Sequence, residues 1–295
     1  MFQRQSQGSV LCPSCGKLVG VNDPTCFHCG RRNPGMFGFA AAVRALGRDF
    51  GFVKLVIGGS IALYITTLLV DSEGIQSGGL LNFLSPSTRA LFLFGASGQI
   101  PVFELGRWWT LLSAGWLHGG ILHLLFNMSV LRSFAPATAE FYGPGRMIII
   151  YTLSSVTGFL FSSVAYELLP WIPLGRVLGF LGLGGAHLTI GASAPIFGLL
   201  GALLYYGKRT GSRVIREQMV MYAIAFAVFG LVMPGIDNQA HLGGFVGGYL
   251  TARVLDPLAP ERGDHLLVAV VCVAATVLAI VASVVSGLPV LPYLF

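Results

Sequence analysis

The chain has 295 residues, of which 54% are hydrophobic and only 10% charged, with a mean hydropathy of +0.76. A soluble domain carries roughly 25% charged residues, so this composition excludes one and points to a polytopic membrane protein. The formal net charge of +6 needs no nucleic-acid partner, because loops on the positive-inside side supply such a surplus.

Residues 1–35 read as a separate module. Cys12-Pro-Ser-Cys15-Gly and Cys26-Phe-His-Cys29-Gly are two CxxC knuckles with ten residues between them. Four thiolates at this spacing close a tetrahedral zinc site, and Gly16 and Gly30 allow the tight turn of each knuckle. Two disulfides or a redox CxxC are the alternatives. So small a piece with almost no other core needs a staple, which favours zinc. With all four thiolates used, no position is left for water, so the metal is structural. His28 lies between the last two ligands as a surface residue. Zinc–thiolate chemistry places this end in a reducing cytosol. The same residues hold no apolar run resembling a cleavable signal peptide.

A Gly- and Arg-rich linker follows, assigned to residues 36–52, with an amphipathic surface helix expected over 37–50. Seven apolar spans come next, at 53–70, 115–134, 147–166, 193–206, 218–233, 240–255 and 266–285. Residues 71–109 form a long connection whose apolar runs, 90–96 and 100–103, are too short to cross a bilayer that needs about 20 helical residues. This stretch is expected to be a folded, membrane-embedded loop. Trp108, Trp109 and Trp116 suit the interface, where aromatic rings anchor.

With the N-terminus inside, fifteen of the eighteen Lys and Arg residues fall in inside segments, and only Arg89, Arg107 and Arg176 fall outside. That asymmetry fits the positive-inside rule and sets the C-terminus outside. In this arrangement Ser193, in G-A-S-A-P-I-F-G, opens the fourth span. His241, in D-N-Q-A-H-L-G-G-F-V-G-G, opens the sixth. Both start from the outer face and share one depth.

A lone serine there is an ordinary helix cap. A histidine at the same depth makes the two a candidate nucleophile and base. Ala194, Gly198 and Ala202 recur every fourth residue, and Gly243/Gly247 and Gly244/Gly248 are overlapping GxxxG pairs that favour close helix contact in lipid. The second span adds His118, His123 and Asn127, with His123 and Asn127 four apart on one face. Asn and His N–H groups can be aimed at a developing oxyanion. The alternative for each is an interhelical hydrogen-bond network.

Together, H-G-G-I-L-H-L-L-F-N-M, then G-A-S-A, then A-H-L-G-G-F-V-G-G resemble the rhomboid intramembrane serine proteases. The resemblance implies an all-α fold: a six-helix core with an appended seventh helix, the 6+1 form, preceded here by the Cys12/Cys15/Cys26/Cys29 module. The core is assigned to residues 53–255 and the seventh helix and tail to 256–295. Carried onto this sequence, Ser193 matches the nucleophile, His241 the general base, and His123 and Asn127 the side-chain oxyanion donors. His118 matches a supporting entrance histidine, and Phe197 an aromatic ring packed on the catalytic imidazole. Asp237, four residues before His241, is not expected to complete a triad.

The resemblance further implies hydrolysis of single-span transmembrane proteins near the outer face, in a prokaryotic plasma membrane, with no catalytic cofactor. Substrate would enter between the second and fifth helices. The zinc module leaves room for a cytosolic partner. A rhomboid-like scaffold that binds transmembrane clients without cutting them is the competing reading, and the presence of both Ser193 and His241 argues against it. Two positions depart from the family pattern. Ala194 stands where Gly is usual after the nucleophile, and the outer-loop Trp-Arg pair reads Trp109-Thr110, with Arg107 just before.

Overall fold

The computed structural model describes residues 8–12, 14–21, 23–32, 34, 49–78, 83–180, 183–259 and 261–289. Most of the linker, including the surface helix expected over 37–50, lies outside the described residues. At the N-terminal end, β1 (Ser9–Leu11) pairs antiparallel with β2 (Leu18–Gly20), Val10 opposite Val19. Cys12, Val19 and Cys26 form its small buried cluster.

The other described residues are mostly helical. Among them, seven long helices overlap the apolar runs: α1 (Phe52–Val70), α4 (Ile121–Tyr142), α5 (Pro144–Leu168), α7 (Ser193–Thr210), α8 (Arg213–Val232), α9 (Asn238–Val254) and α10 (Gly263–Gly287), with a short α6 (Pro173–Phe180) between α5 and α7. Local chemistry sets their ends. The Asp49 carboxylate accepts the Val53 N–H at 2.8 Å to start α1. Ser212 caps α8 through the Ile215 N–H, and Asp237 caps α9 through the Ala240 N–H at 3.0 Å. Gly143 (φ 87°) and Pro144 turn the chain between α4 and α5.

Four stretches, Phe52–Val70, Pro144–Trp171, Arg213–Val232 and Asp264–Gly287, are long and apolar enough to cross a membrane on hydropathy alone. The other three long helices carry more polar side chains: half-buried His123, buried Asn127 and exposed Arg132 in α4, exposed Lys208 and Arg209 in α7, and half-buried His241 in α9. Polar and charged side chains lower the mean hydropathy of the helices that carry them. The second helix also starts later than expected. Residues Ala114–Trp116 form a 3₁₀ turn, and Leu117–Gly120 are loop. His118 therefore precedes the helix instead of lying in it.

α5 is the central helix, buried over 67% of its best span window against 11% for α8. Its closest partners are α9 and α7. The two GxxxG registers of α9 serve different neighbours. A Cβ at Gly243 or Gly247 would lie 2.8 Å from the Thr157 carbonyl or 1.9 Å from the Thr157 hydroxyl of α5. At Gly244 or Gly248 it would lie 2.1 Å from the Ala194 or Gly198 carbonyl of α7. Gly198 in turn admits Ser154 of α5, whose hydroxyl would sit 1.9 Å from a Cβ there.

The described residues between α1 and α4 are folded and packed. They hold α2 (Thr88–Leu93), a π-helical turn (Ile100–Glu104) and α3 (Thr110–Ser113). Phe92, Ala96 and Val102 are fully buried there. Trp108 is half exposed, but Trp116 is not at an interface: it is buried, its ring 2.6 Å from where a Cβ on Gly59 of α1 would lie. The missing side chain on α1 makes the slot for the indole, a contact that hydropathy does not reveal.

Candidate active site and cysteine cluster

At one end of the bundle, the N-termini of α7 and α9 meet. Ser193 is the first residue of α7, and His241 lies one turn inside α9. Because Gly244 and Gly248 let the two helices touch, His241 Nε2 comes within 2.8 Å of Ser193 Oγ. Both residues are half-buried. Phe197, one turn down α7, stacks flat on the imidazole at 4.2 Å between centroids and 12° between planes. Buried His241 Nδ1 has no hydrogen-bond partner among the described residues. Asp237 is occupied elsewhere: its carboxylate caps Ala240 and accepts a 2.5 Å hydrogen bond from Ser162 of α5. Its place is structural, at the start of the helix that carries His241.

His123, in the first turn of α4, faces the same point. Its Nδ1 accepts the Gly119 N–H at 3.2 Å, which leaves Nε2 as the protonated nitrogen in a neutral ring. A Cβ on Gly191 would lie 2.8 Å from that Nε2 and 3.7 Å from Ser193 Oγ. Only a bare Cα at φ 122° lets the ring edge and the hydroxyl flank one spot. Gly191 is thus a site residue that the search for side-chain chemistry passed over, although it opens the G-A-S-A motif. Asn127 is buried and donates one amide N–H to the His123 carbonyl at 3.0 Å. The amide's second N–H remains for another acceptor.

His118 is 1% exposed, its ring 5.1 Å from that of His123. Neither of its nitrogens bonds to a described residue. It sits in a loop held by the Ser85 hydroxyl, which donates to the Gly119 carbonyl at 2.6 Å. The Ala194 methyl points away from this space and toward α5, where Gly158 leaves room for it.

The N-terminal cysteines are all free and converge. Their Sγ atoms lie within 4.8 Å of one another, with Cys12–Cys29 and Cys15–Cys26 each at 3.7 Å. A tetrahedron of sulfurs about 2.3 Å from a central zinc has edges of about 3.8 Å, so the donor set fits that ion. Burial raises the Cys12 thiol, but N–H groups of Ser14 and Cys15 outweigh it and bring Cys12 down to about 6. Cys15 stands up at about 11: the Lys17 N–H lowers it, while burial and the neighbouring thiols raise it further. A cation among the four removes that conflict and lets all of them ionise.

Fold and site together describe a helical membrane protein with a polar cluster near one end of its bundle. Residues 105–257 match the rhomboid domain family, and the chain belongs to the rhomboid family. Over 67% of its length it is 34% identical to Rhomboid protease GluP of Bacillus subtilis (strain 168), across 36% of that protein. It is 30% identical to RHOMBOID-like protein 5 of Arabidopsis thaliana, over 72% of this chain and 69% of the relative. Inactive RHOMBOID-like protein 8 of the same plant is 28% identical over 69% of this chain and 58% of its own. The chain therefore spans only about a third of GluP, and membership alone covers cutting and non-cutting relatives.

Proposed function

We propose that this protein is an intramembrane serine endopeptidase with Ser193 as nucleophile and His241 as general base. The 2.8 Å approach of His241 Nε2 to Ser193 Oγ, where the N-termini of α7 and α9 meet, carries this reading. Nucleophile and base within hydrogen-bond reach, with the base held by a third group, is the arrangement acyl transfer needs. Here the third group is the Phe197 ring, which fixes the imidazole plane by stacking.

His241 takes the Ser193 proton as Oγ attacks the scissile carbonyl. The oxyanion is met by the Ser193 N–H, by His123 Nε2–H and by the second N–H of Asn127. His241 then gives its proton to the leaving amine, and water, activated by the same ring, releases the acyl group. His118, buried behind the His123 ring, supports this space. Substrates are single-span transmembrane proteins whose helix opens near the outer face and reaches the site between α4 and α8. Phe126 meets Phe226 and Phe229 across that opening, at 6.1 and 5.8 Å between centroids.

The seven long helices span the bilayer of a prokaryotic plasma membrane as a six-helix core, residues 53–255, plus α10. The N-terminus is cytosolic and the C-terminus outside. Residues 1–35 form a ribbon in which Cys12, Cys15, Cys26 and Cys29 hold one structural zinc. Catalysis uses no cofactor. A non-cutting, client-binding rhomboid is the second reading, favoured by the inactive relative alone.

A fluorophosphonate probe on purified protein separates the two. Covalent labelling that maps to Ser193 and disappears in His241→Ala is the expected result. A wild type that neither labels nor cuts any single-span substrate would move the assignment to the client-binding reading.

A further inference from the structure

Arg107 is the one strongly buried cation of the outer loop, 2% exposed, and its partners lie in the appended helix. One guanidinium nitrogen donates to the Ser283 carbonyl at 2.7 Å, and Nε donates to the Ser286 hydroxyl at 3.2 Å. Both acceptors are in the last turns of α10, where a cation meets the negative end of the helix dipole. The remaining terminal nitrogen donates to the Phe92 carbonyl at 3.3 Å, with the Phe92 ring 4.3 Å from the guanidinium carbon. Burial lowers the Arg107 pKa to about 10, so the group stays charged at neutral pH.

From Arg107 a set of bonds runs to the segment just before the serine. The Arg107 carbonyl accepts from both the Thr110 N–H (3.0 Å) and the Thr110 hydroxyl (2.7 Å). That hydroxyl lies 3.2 Å from Ser97 Oγ. Ser97 and Thr189 exchange backbone bonds at 3.0 and 2.7 Å. Two residues on, the Gly191 N–H donates to the Ala114 carbonyl at 2.9 Å. Ala114 directly follows Ser113, whose hydroxyl lies 3.4 Å from that of Ser283. Both routes end on the short shelf that presents Gly191 and Ser193.

We propose that α10 is a brace for the active site and that Arg107 is the positioning residue through which it acts. The inference rests on Ser193 being the reactive hydroxyl. It makes the seventh helix part of the catalytic machinery without contributing an atom to the chemistry. A neutral side chain at 107 releases the last turns of α10 from the loop, and the shelf at 189–191 loses its outer support.

Full-length Arg107→Gln, Arg107→Lys and wild type are compared by hydrogen–deuterium exchange in detergent and by cleavage, with kcat referred to fluorophosphonate-titrated sites. The Thr189 and Gly191 amides should exchange about tenfold faster in Arg107→Gln, with the interior amides of α5 and α9 unchanged. Its kcat should fall about 100-fold at nearly constant KM, as small misplacements of reacting groups do. Arg107→Lys, keeping a charge and one donor, should recover part of both.

If Arg107→Gln does not fold, Ser286→Ala and Ser283→Ala leave the charge in place and should give the same pattern at about threefold. Unchanged exchange at Thr189 and Gly191 in the variants overturns the brace, whatever the enzyme cuts. Faster exchange without any Ser193-dependent cleavage in wild type would instead retain the brace and remove the protease reading.

Discussion

Among the described residues no carboxylate bonds His241 Nδ1, so its orientation rests on Phe197 and on the cap that Asp237 places at the start of α9. On the proposed mechanism, His241→Ala abolishes cleavage while the detergent-solubilised protein keeps its melting temperature. A melting loss as large as the activity loss would mean that the ring serves packing instead. Phe197→Ala removes a stack of about 1 kcal/mol, so kcat should drop roughly fivefold with a smaller change in KM. Ala194→Gly should leave turnover within about twofold, because the methyl faces Gly158 and not the Ser193 hydroxyl. A large gain in that variant would show the methyl to obstruct the site.

The serine and histidine could be paired from sequence because each opens a helix that starts from the same face, and topology alone fixes their depth. His118 was harder: Gly119 and Gly120 break the helical run, and the stretch reads as helical by its apolar content. Arg107 reads as a loop charge in the sequence, since its partners lie 176 and 179 residues further along the chain.

At the scale of elements, α9 sets how near histidine can come to serine. Gly244 and Gly248 hold the α7 backbone at carbonyl contact, so Gly244→Val forces α9 outward at a cost of about 1–3 kcal/mol or more. The expected result is a lowered melting temperature together with lost fluorophosphonate labelling. Gly243 and Gly247 face α5 instead, and the analogous change there should destabilise while sparing more of the labelling. Equal loss of labelling at both pairs would contradict this division of the two registers. The GxxxG repeats made the close contact readable. Which register met which helix was not, because one strip of glycines offers two faces and the choice depends on Thr157 and Ser154 across the interface.

At the scale of the whole molecule, the proposed ribbon and bundle would be separate pieces of chemistry on one chain. Four thiols in reach of a single ion predict one zinc per chain by elemental analysis, lost when all four cysteines become serine. Deleting residues 1–35 should leave cleavage by the purified bundle within about twofold, since no ribbon residue supplies a group to the proposed reaction. Abolished turnover would make the ribbon part of the catalytic unit. Length and apolarity alone identify four crossing helices here. On the proposed topology α4, α7 and α9 cross as well, a reading that needs charge asymmetry and motif order together. The most direct test of the central claim is cleavage of a single-span substrate by purified protein in proteoliposomes, run beside Ser193→Ala. The account predicts cutting near the outer end of the substrate helix by the wild type and none by the variant. Equal cutting by both would contradict it.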